Sequence, residues 1–157
     1  MELTNCFGDP CEIEAYLKMY NEGKYYEVSD WLWSELYHQH NIGTASIAWV
    51  IKASELFLEQ TEIDWNHLGF TFAVMESLEE HKFIPCPEWA KGKYRLAATK
   101  ALQHALNFLL DEPSNEQSTS IVYLTCAISK MYKSRELIEY AHGCEEEIME
   151  LDFEKNP

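Results

Sequence analysis

"GKYRLAATKALQHALNFLL", residues 92–110, decides the fold class. Stepped at the ~100° per residue of an α-helix, Tyr94, Ala97, Ala98, Ala101, Leu102, Ala105, Leu106 and Leu109 fall on one face. The alanines on that face let a neighbouring helix approach closely. Just upstream, "IPCP" at 84–87 forces a break, because each proline removes a backbone donor and restrains the residue before it. The longest helix is therefore expected from Pro87 to about Leu110.

The same period extends in both directions. Toward the N-terminus it predicts a helix from Asp64 to about His81, carrying Leu68, Val74, Met75 and Leu78, and another from Thr44, as cap, to about Gln60. A further helix covers about 24–39. The first opens at Asp9-Pro10, a good start signal, and runs through Ile13, Tyr16, Leu17 and Tyr20 to the stop "NEG" at 21–23. Toward the C-terminus "DEPSNEQS" at 111–118 reads as a loop. Ile121, Leu124, Ile128 and Met131 then mark a sixth helix. A seventh carries Leu137, Ala141, Cys144, Ile148 and Leu151, whose alternating steps of four and three make a narrow stripe suited to lie across a partner helix. There is no Asn-Gly or Asp-Gly turn and no sustained alternation, so strands are not expected. Short connections make successive helices antiparallel neighbours. The expectation is an all-α single domain over residues 1–157: about seven helices in stacked antiparallel hairpins, with 152–157 a frayed tail. A chain of 157 residues is long enough to bury a substantial core.

Charge narrows the partners. Twelve Lys and Arg stand against 27 Asp and Glu, a net charge of −15. Such a field repels nucleic acid and anionic membrane and steers basic proteins toward the surface. The acid is uneven: residues 1–90 hold 16 acids and 4 bases, residues 91–143 hold 5 and 7, and residues 144–157 hold 6 and 1. The surface should be polarised. No apolar run approaches the ~20 residues of a membrane span, and "MELTNCFGDP" lacks the basic start and apolar run of a signal peptide. Cys6, Cys11, Cys86, Cys126 and Cys144 are odd in number and contain no CxxC, so neither a zinc framework nor full disulfide pairing is indicated. These features point to a reduced, cytoplasmic protein.

No catalytic or cofactor motif stands out. His38 and His40 in "ELYHQHNIG" lie two apart, roughly 200° from each other on a helix, so they could share a metal only beyond the helix end. Asn41 and Gly43 are stop residues, and a histidine in a last turn has a simpler use against the helix dipole. His142 lies near Cys144, but the cysteine belongs to the apolar stripe and reads as a small hydrophobe. His104 reads as a packed or rim histidine. Recurrent carboxylate–His patterns, phosphate loops and nucleophile elbows are absent. No metal, no cofactor and no catalytic residue is expected.

The helix at 24–39 has two apolar faces. Tyr25, Val28, Leu32 and Leu36 form a core stripe; Tyr26, Asp30, Trp33 and Tyr37 form a second one about 100° away. Either this helix is sandwiched between two layers or the second stripe is exposed. If exposed, two Tyr and a Trp around an acid have the composition of a protein-binding hot spot. Trp31 belongs to neither stripe.

"YNEGKYYEVSDWLWSEL" resembles the turn of a tetratricopeptide-type hairpin through Gly23 and Tyr25, with Val28 where that pattern has alanine. Gly-Lys-Tyr recurs at 92–94, followed by Ala97, 69 residues downstream, about two repeat lengths. Pro85 and Pro87 leave no room for a full helix before that second copy, so the likeness supports stacked hairpins. In profile the chain also resembles the small acidic immunity proteins that bacteria make against their own polymorphic or contact-dependent toxins. The acidic helices, the stripe Tyr26, Trp33 and Tyr37, the unpaired cysteines and the absent catalytic set carry that likeness. It implies a non-enzymatic inhibitor of a cognate, more basic toxin or effector domain. A regulatory adaptor and a helical hydrolase using dispersed carboxylates and histidines remain the alternatives.

Overall fold

The computed structural model describes residues 2–61, 63–81, 84–107 and 115–130. Within them the helical period folds as six α-helices: α1 (Glu14–Asn21), α2 (Tyr25–Trp31), α3 (Thr44–Phe57), α4 (Trp65–Glu76), α5 (Lys93–Leu106) and α6 (Asn115–Ile128). The fold class is all-α, with the helices packed against one another. α3 lies along α5 and α4 along α6, while α1 contacts α2 and α3. The stripe at 137–151 and the tail at 152–157 lie outside the described residues, as does the pair His142 and Cys144.

α3 and α4 are apolar almost all round, and that places them at the centre. Ala45 through Val50, Ala53 and Phe57 are buried on α3; Leu68 and Phe70 through Met75 are buried on α4. The other helices bury one stripe each. On α5 it is Tyr94, Ala98, Ala101, Leu102 and Ala105, whereas Leu96 and Leu106 remain exposed. Trp31, unassigned by period, stacks on Tyr16 with ring centroids 3.8 Å apart and meets Trp49 edge-on at 5.6 Å. It cements α1, α2 and α3.

Four helix starts differ from the sequence expectation; one is α6, which opens at Asn115, inside the stretch 111–118 read as a loop. α1 opens at Glu14, not at Asp9-Pro10, because Pro10 pairs with Thr4 in an isolated bridge and the Asn5 side chain accepts from the amides of Phe7 and Asp9. Residues 4–10 thus close on themselves as a loop. Thr44 is the first residue of α3, not its cap. Its hydroxyl accepts from the Thr4 amide at 2.9 Å, while Ser46 Oγ accepts from Gly43 N–H at 3.1 Å. α5 opens at Lys93 instead of Pro87, because Gly92 adopts φ 74° and ends the turn at 87–91. At 14 residues α5 equals α3 and α6 among the described residues, and its expected end near Leu110 lies outside them.

Both Gly-Lys-Tyr copies share one local solution: Gly23 and Gly92 are left-handed, at φ 78° and 74°, and the tyrosine two residues on enters a helix. At Gly23 the bonds Gly23 N–H to Tyr20 O and Lys24 N–H to Met19 O close α1 as a Schellman cap.

The absence of strands was a wrong expectation. Tyr37–His38 (β1) and Asn41–Ile42 (β2) pair antiparallel, Tyr37 opposite Ile42 and His38 opposite Asn41. Gln39 and His40 form the two-residue turn at φ 49° and 68°, both left-handed as a type I′ turn requires. Neither is the Asn or Gly by which such a turn is recognised. The second helix accordingly stops near residue 36, short of 39.

Candidate functional site

The second apolar stripe begins on α2 and is bent by the turn that succeeds that helix. Leu32–Leu36 form a π-helical turn, in which i→i+5 bonding widens the helix. Before it, Tyr26 stands 79% exposed and Asp30 is exposed. Within it, Trp33 turns toward α4, and Tyr37 follows directly after it. The stripe is therefore neither sandwiched nor wholly exposed. On the other face Val28, Leu32 and Leu36 are fully buried, as a core stripe requires.

Trp33 remains 38% exposed, yet it is held on three sides. Its Nε1–H donates to Asn66 Oδ1 at 2.9 Å. Its ring meets Tyr37 edge-on at 5.3 Å and Phe70 edge-on at 5.5 Å. Asn66 is itself placed by the α4 cap, where Asp64 accepts from the Asn66 amide at 3.1 Å. Tyr37 is fixed in turn, its hydroxyl 3.0 Å from His40 Nδ1, and that nitrogen lies 3.8 Å from Glu76 Oε2. Glu76 is buried.

The other side of the hairpin continues the surface. His38 is exposed and its ring lies 5.8 Å from Phe7, which is 60% exposed at the tip of the N-terminal loop. Glu35 ties that loop down: its backbone carbonyl accepts from the Cys6 amide at 3.0 Å and its carboxylate from the Asn5 side-chain amide at 3.2 Å. The result is an edge of aromatic rings among carboxylates, fixed by side chains from residues 5, 66, 70 and 76. Asn66, Phe70 and Phe7 were missed by period because they come from other elements and meet Trp33 or the hairpin only in the fold.

His38, His40 and His104 each have a place in the fold. His38 and His40 sit on the hairpin beyond the helix end. His104 Nε2 is 3.2 Å from the Gln60 carbonyl, with its ring edge-on to Phe57 at 5.5 Å. Among the described residues no group of three or more His, Cys, Asp or Glu side chains is placed to hold a metal ion. Cys6, Cys11, Cys86 and Cys126 are free thiols, and burial pushes the first three above the ordinary thiol range. A thiol raised in that way is a poor nucleophile.

No known family, curated protein or solved structure matches this chain. The site must be judged by its own chemistry. A second cleft, about 760 Å³ in volume, is lined by Glu79, Cys86, Tyr94, Arg95 and Lys130. Its polar groups serve the fold: Tyr94 donates to Glu79 at 2.8 Å, and Arg95 binds both Glu79 and the carbonyl that ends α6 at Ile128. Among the described residues no helix is long and apolar enough to cross a membrane.

Proposed function

We propose that this chain is a non-enzymatic protein-binding protein that holds a more basic partner through the aromatic edge at Trp33 and Tyr37. In its specific form the proposal is an immunity or inhibitor protein that neutralises a cognate toxin or effector domain in the cytoplasm. The observation that carries it is Trp33. A tryptophan partly in water, with its indole N–H bonded and its ring clamped by Tyr37 and Phe70, is already in the conformation a partner would need. Rigid aromatic anchors lose little entropy on binding and dominate interface energies. The left-handed Gln39 and His40 beside it, and the π turn beneath it, are the kind of local strain that gathers at functional sites. Tyr26 and Asp30 extend the surface along α2. The net charge of −15 supplies the preference for a basic partner.

The test is to capture the partner from cells of the source and measure its dissociation from wild-type protein and from Trp33→Ala. Truncating a central aromatic anchor costs about 2 kcal/mol or more, a roughly 30-fold loss of affinity. We expect a basic partner whose dissociation accelerates by that factor, with a thermal midpoint that keeps the variant folded. A variant as stable as wild type that binds equally tightly removes Trp33 from the interface. An acidic partner overturns the charge argument.

A further inference from the structure

The groove between α3 and α5 stands apart from the aromatic edge and differs from it in charge. Ile51 and Leu58 wall it on the α3 side, Leu96 and Ala97 on the α5 side, and Ser54 also lines it. The Ser54 hydroxyl is already engaged, 3.1 Å from His67 Nε2. The lining below the rim is thus apolar, with no side chain left to hydrogen-bond a ligand. The volume is about 160 Å³. A dry apolar cavity of about that size holds one benzene ring.

Lys93 and Lys100 line the same groove and are exposed. Seven residues apart, they lie on one side of α5 about 10 Å from each other along its axis, with Leu96 between them. What sets them apart is the lack of a carboxylate. Lys18, Lys24, Lys52, Lys91 and Arg95 each reach an acid within ion-pair distance. Among the described residues Lys93 and Lys100 do not, in a chain with 27 acids against 12 bases. Lys130, the last described residue, is the one other base in that condition. Glu55 lines the α3 side of the groove.

We infer that this groove is a binding site for a small amphiphilic carboxylic acid. An apolar body of about six carbons fills the space between Ile51, Leu58, Leu96 and Ala97, and the carboxylate lies at the α5 rim with Lys93 and Lys100. The lining selects this class. A sugar or nucleobase would bury polar edges that find no partner in the groove, and that cost is not offset. A neutral hydrocarbon gains nothing from the two ammonium groups, and a cation is repelled by them. Glu55 repels the carboxylate from the α3 side and so sets its orientation. Two exposed ion pairs and one small apolar body make a weak site, with a Kd of about 1 mM. The site shares no residue with the aromatic edge.

Titration of hexanoate into the isotope-labelled full chain at low salt, followed by the backbone amide resonances, tests this. Amides in 51–58 and 93–100 should shift together and saturate, whereas hexylamine at the same concentrations should leave them in place. Lys93→Gln combined with Lys100→Gln alters two exposed side chains that pair with no acid among the described residues, so the variant keeps its fold. It should weaken hexanoate binding about tenfold. Leu96→Asp keeps both lysines and should abolish binding, because it sets a charge in the apolar wall. An equal response to hexylamine, unchanged affinity in either variant, or no saturating shift at these amides overturns the inference. So does the same shift on raising the protein concentration alone, which would make the groove a contact between copies of the chain. None of these readouts depends on Trp33 or on a protein partner.

Discussion

His67 shows what one buried residue imposes. It sits on α4 with no exposed surface, its Nε2 3.1 Å from Ser54 Oγ and its ring against Tyr20 and Phe57 at 5.7 and 5.1 Å. Burial lowers its pKa from 6.5 to about 3, so the folded protein holds it neutral. The unfolded chain takes up that proton near pH 6.5, and the folded chain does so only near pH 3. Between those values the unfolded state binds the extra proton, so stability falls as the pH drops. The slope is about 1.4 kcal/mol per pH unit, or about 2 kcal/mol between pH 6.5 and pH 5, where most carboxylates still keep their charge. Urea unfolding of wild type and His67→Leu at those two pH values should show that loss in wild type only. Equal slopes would mean that the imidazole finds a proton and a partner inside the fold.

At the scale of elements, the junction around Gly43 explains why the N-terminal loop belongs to the helical core. Gly43 is extended, at φ −110°, a conformation open to any residue. Space decides here instead. A Cβ at this position would come within 2.1 Å of the Thr4 carbonyl oxygen and 2.2 Å of that of Asn5. Gly43→Ala must push the loop away from α3, breaking the bond between the Thr4 amide and Thr44 Oγ1. We expect a cost of about 1–3 kcal/mol, as for overpacking elsewhere, read as a lowered thermal midpoint. An unchanged midpoint would show that the loop contributes nothing to the fold.

The same junction marks the limit of reading elements from period. α3, α4 and α5 were legible because an apolar face repeats every three or four residues and burial enforces it. The hairpin at 37–42 was not, since its turn is Gln39-His40 and the left-handed backbone is held by the surroundings, such as the Tyr37 hydroxyl bond to His40, instead of by residue type. The helix starts at Glu14 and Lys93 were missed for a related reason. Asp9-Pro10 and Pro87 are competent start signals, but the bridge from Thr4 to Pro10 and the left-handed Gly92 override them. Of the residues singled out on the second stripe, Tyr26, Asp30 and Trp33 are exposed, whereas Tyr37 packs half-buried against the core. Period could not show that Trp33 leans on Asn66 and Phe70, which lie more than thirty residues away in sequence.

Over the whole molecule, charge and aromatic contact act at different stages of binding. Acids border the aromatic edge: Asp30 and Glu35 lie on or beside it, and Glu76 lies beneath His40. Exposed charges act over the ~8–10 Å that physiological salt allows, so they guide approach but contribute little once surfaces meet. For a basic partner, raising salt from 50 to 500 mM should therefore slow association by about tenfold or more while dissociation changes little. Asp30→Asn should act like salt. It lowers the association rate and leaves dissociation unchanged, because Asp30 is exposed and its charge is already solvated. Trp33→Ala should do the reverse, since its indole acts only after contact. Rapid-mixing kinetics on these two variants separates the two contributions. If Asp30→Asn instead accelerates dissociation, that carboxylate is buried against the partner, and the steering account fails at this residue. If salt leaves association untouched, the negative field plays no part in recognition and the preference for a basic partner falls with it.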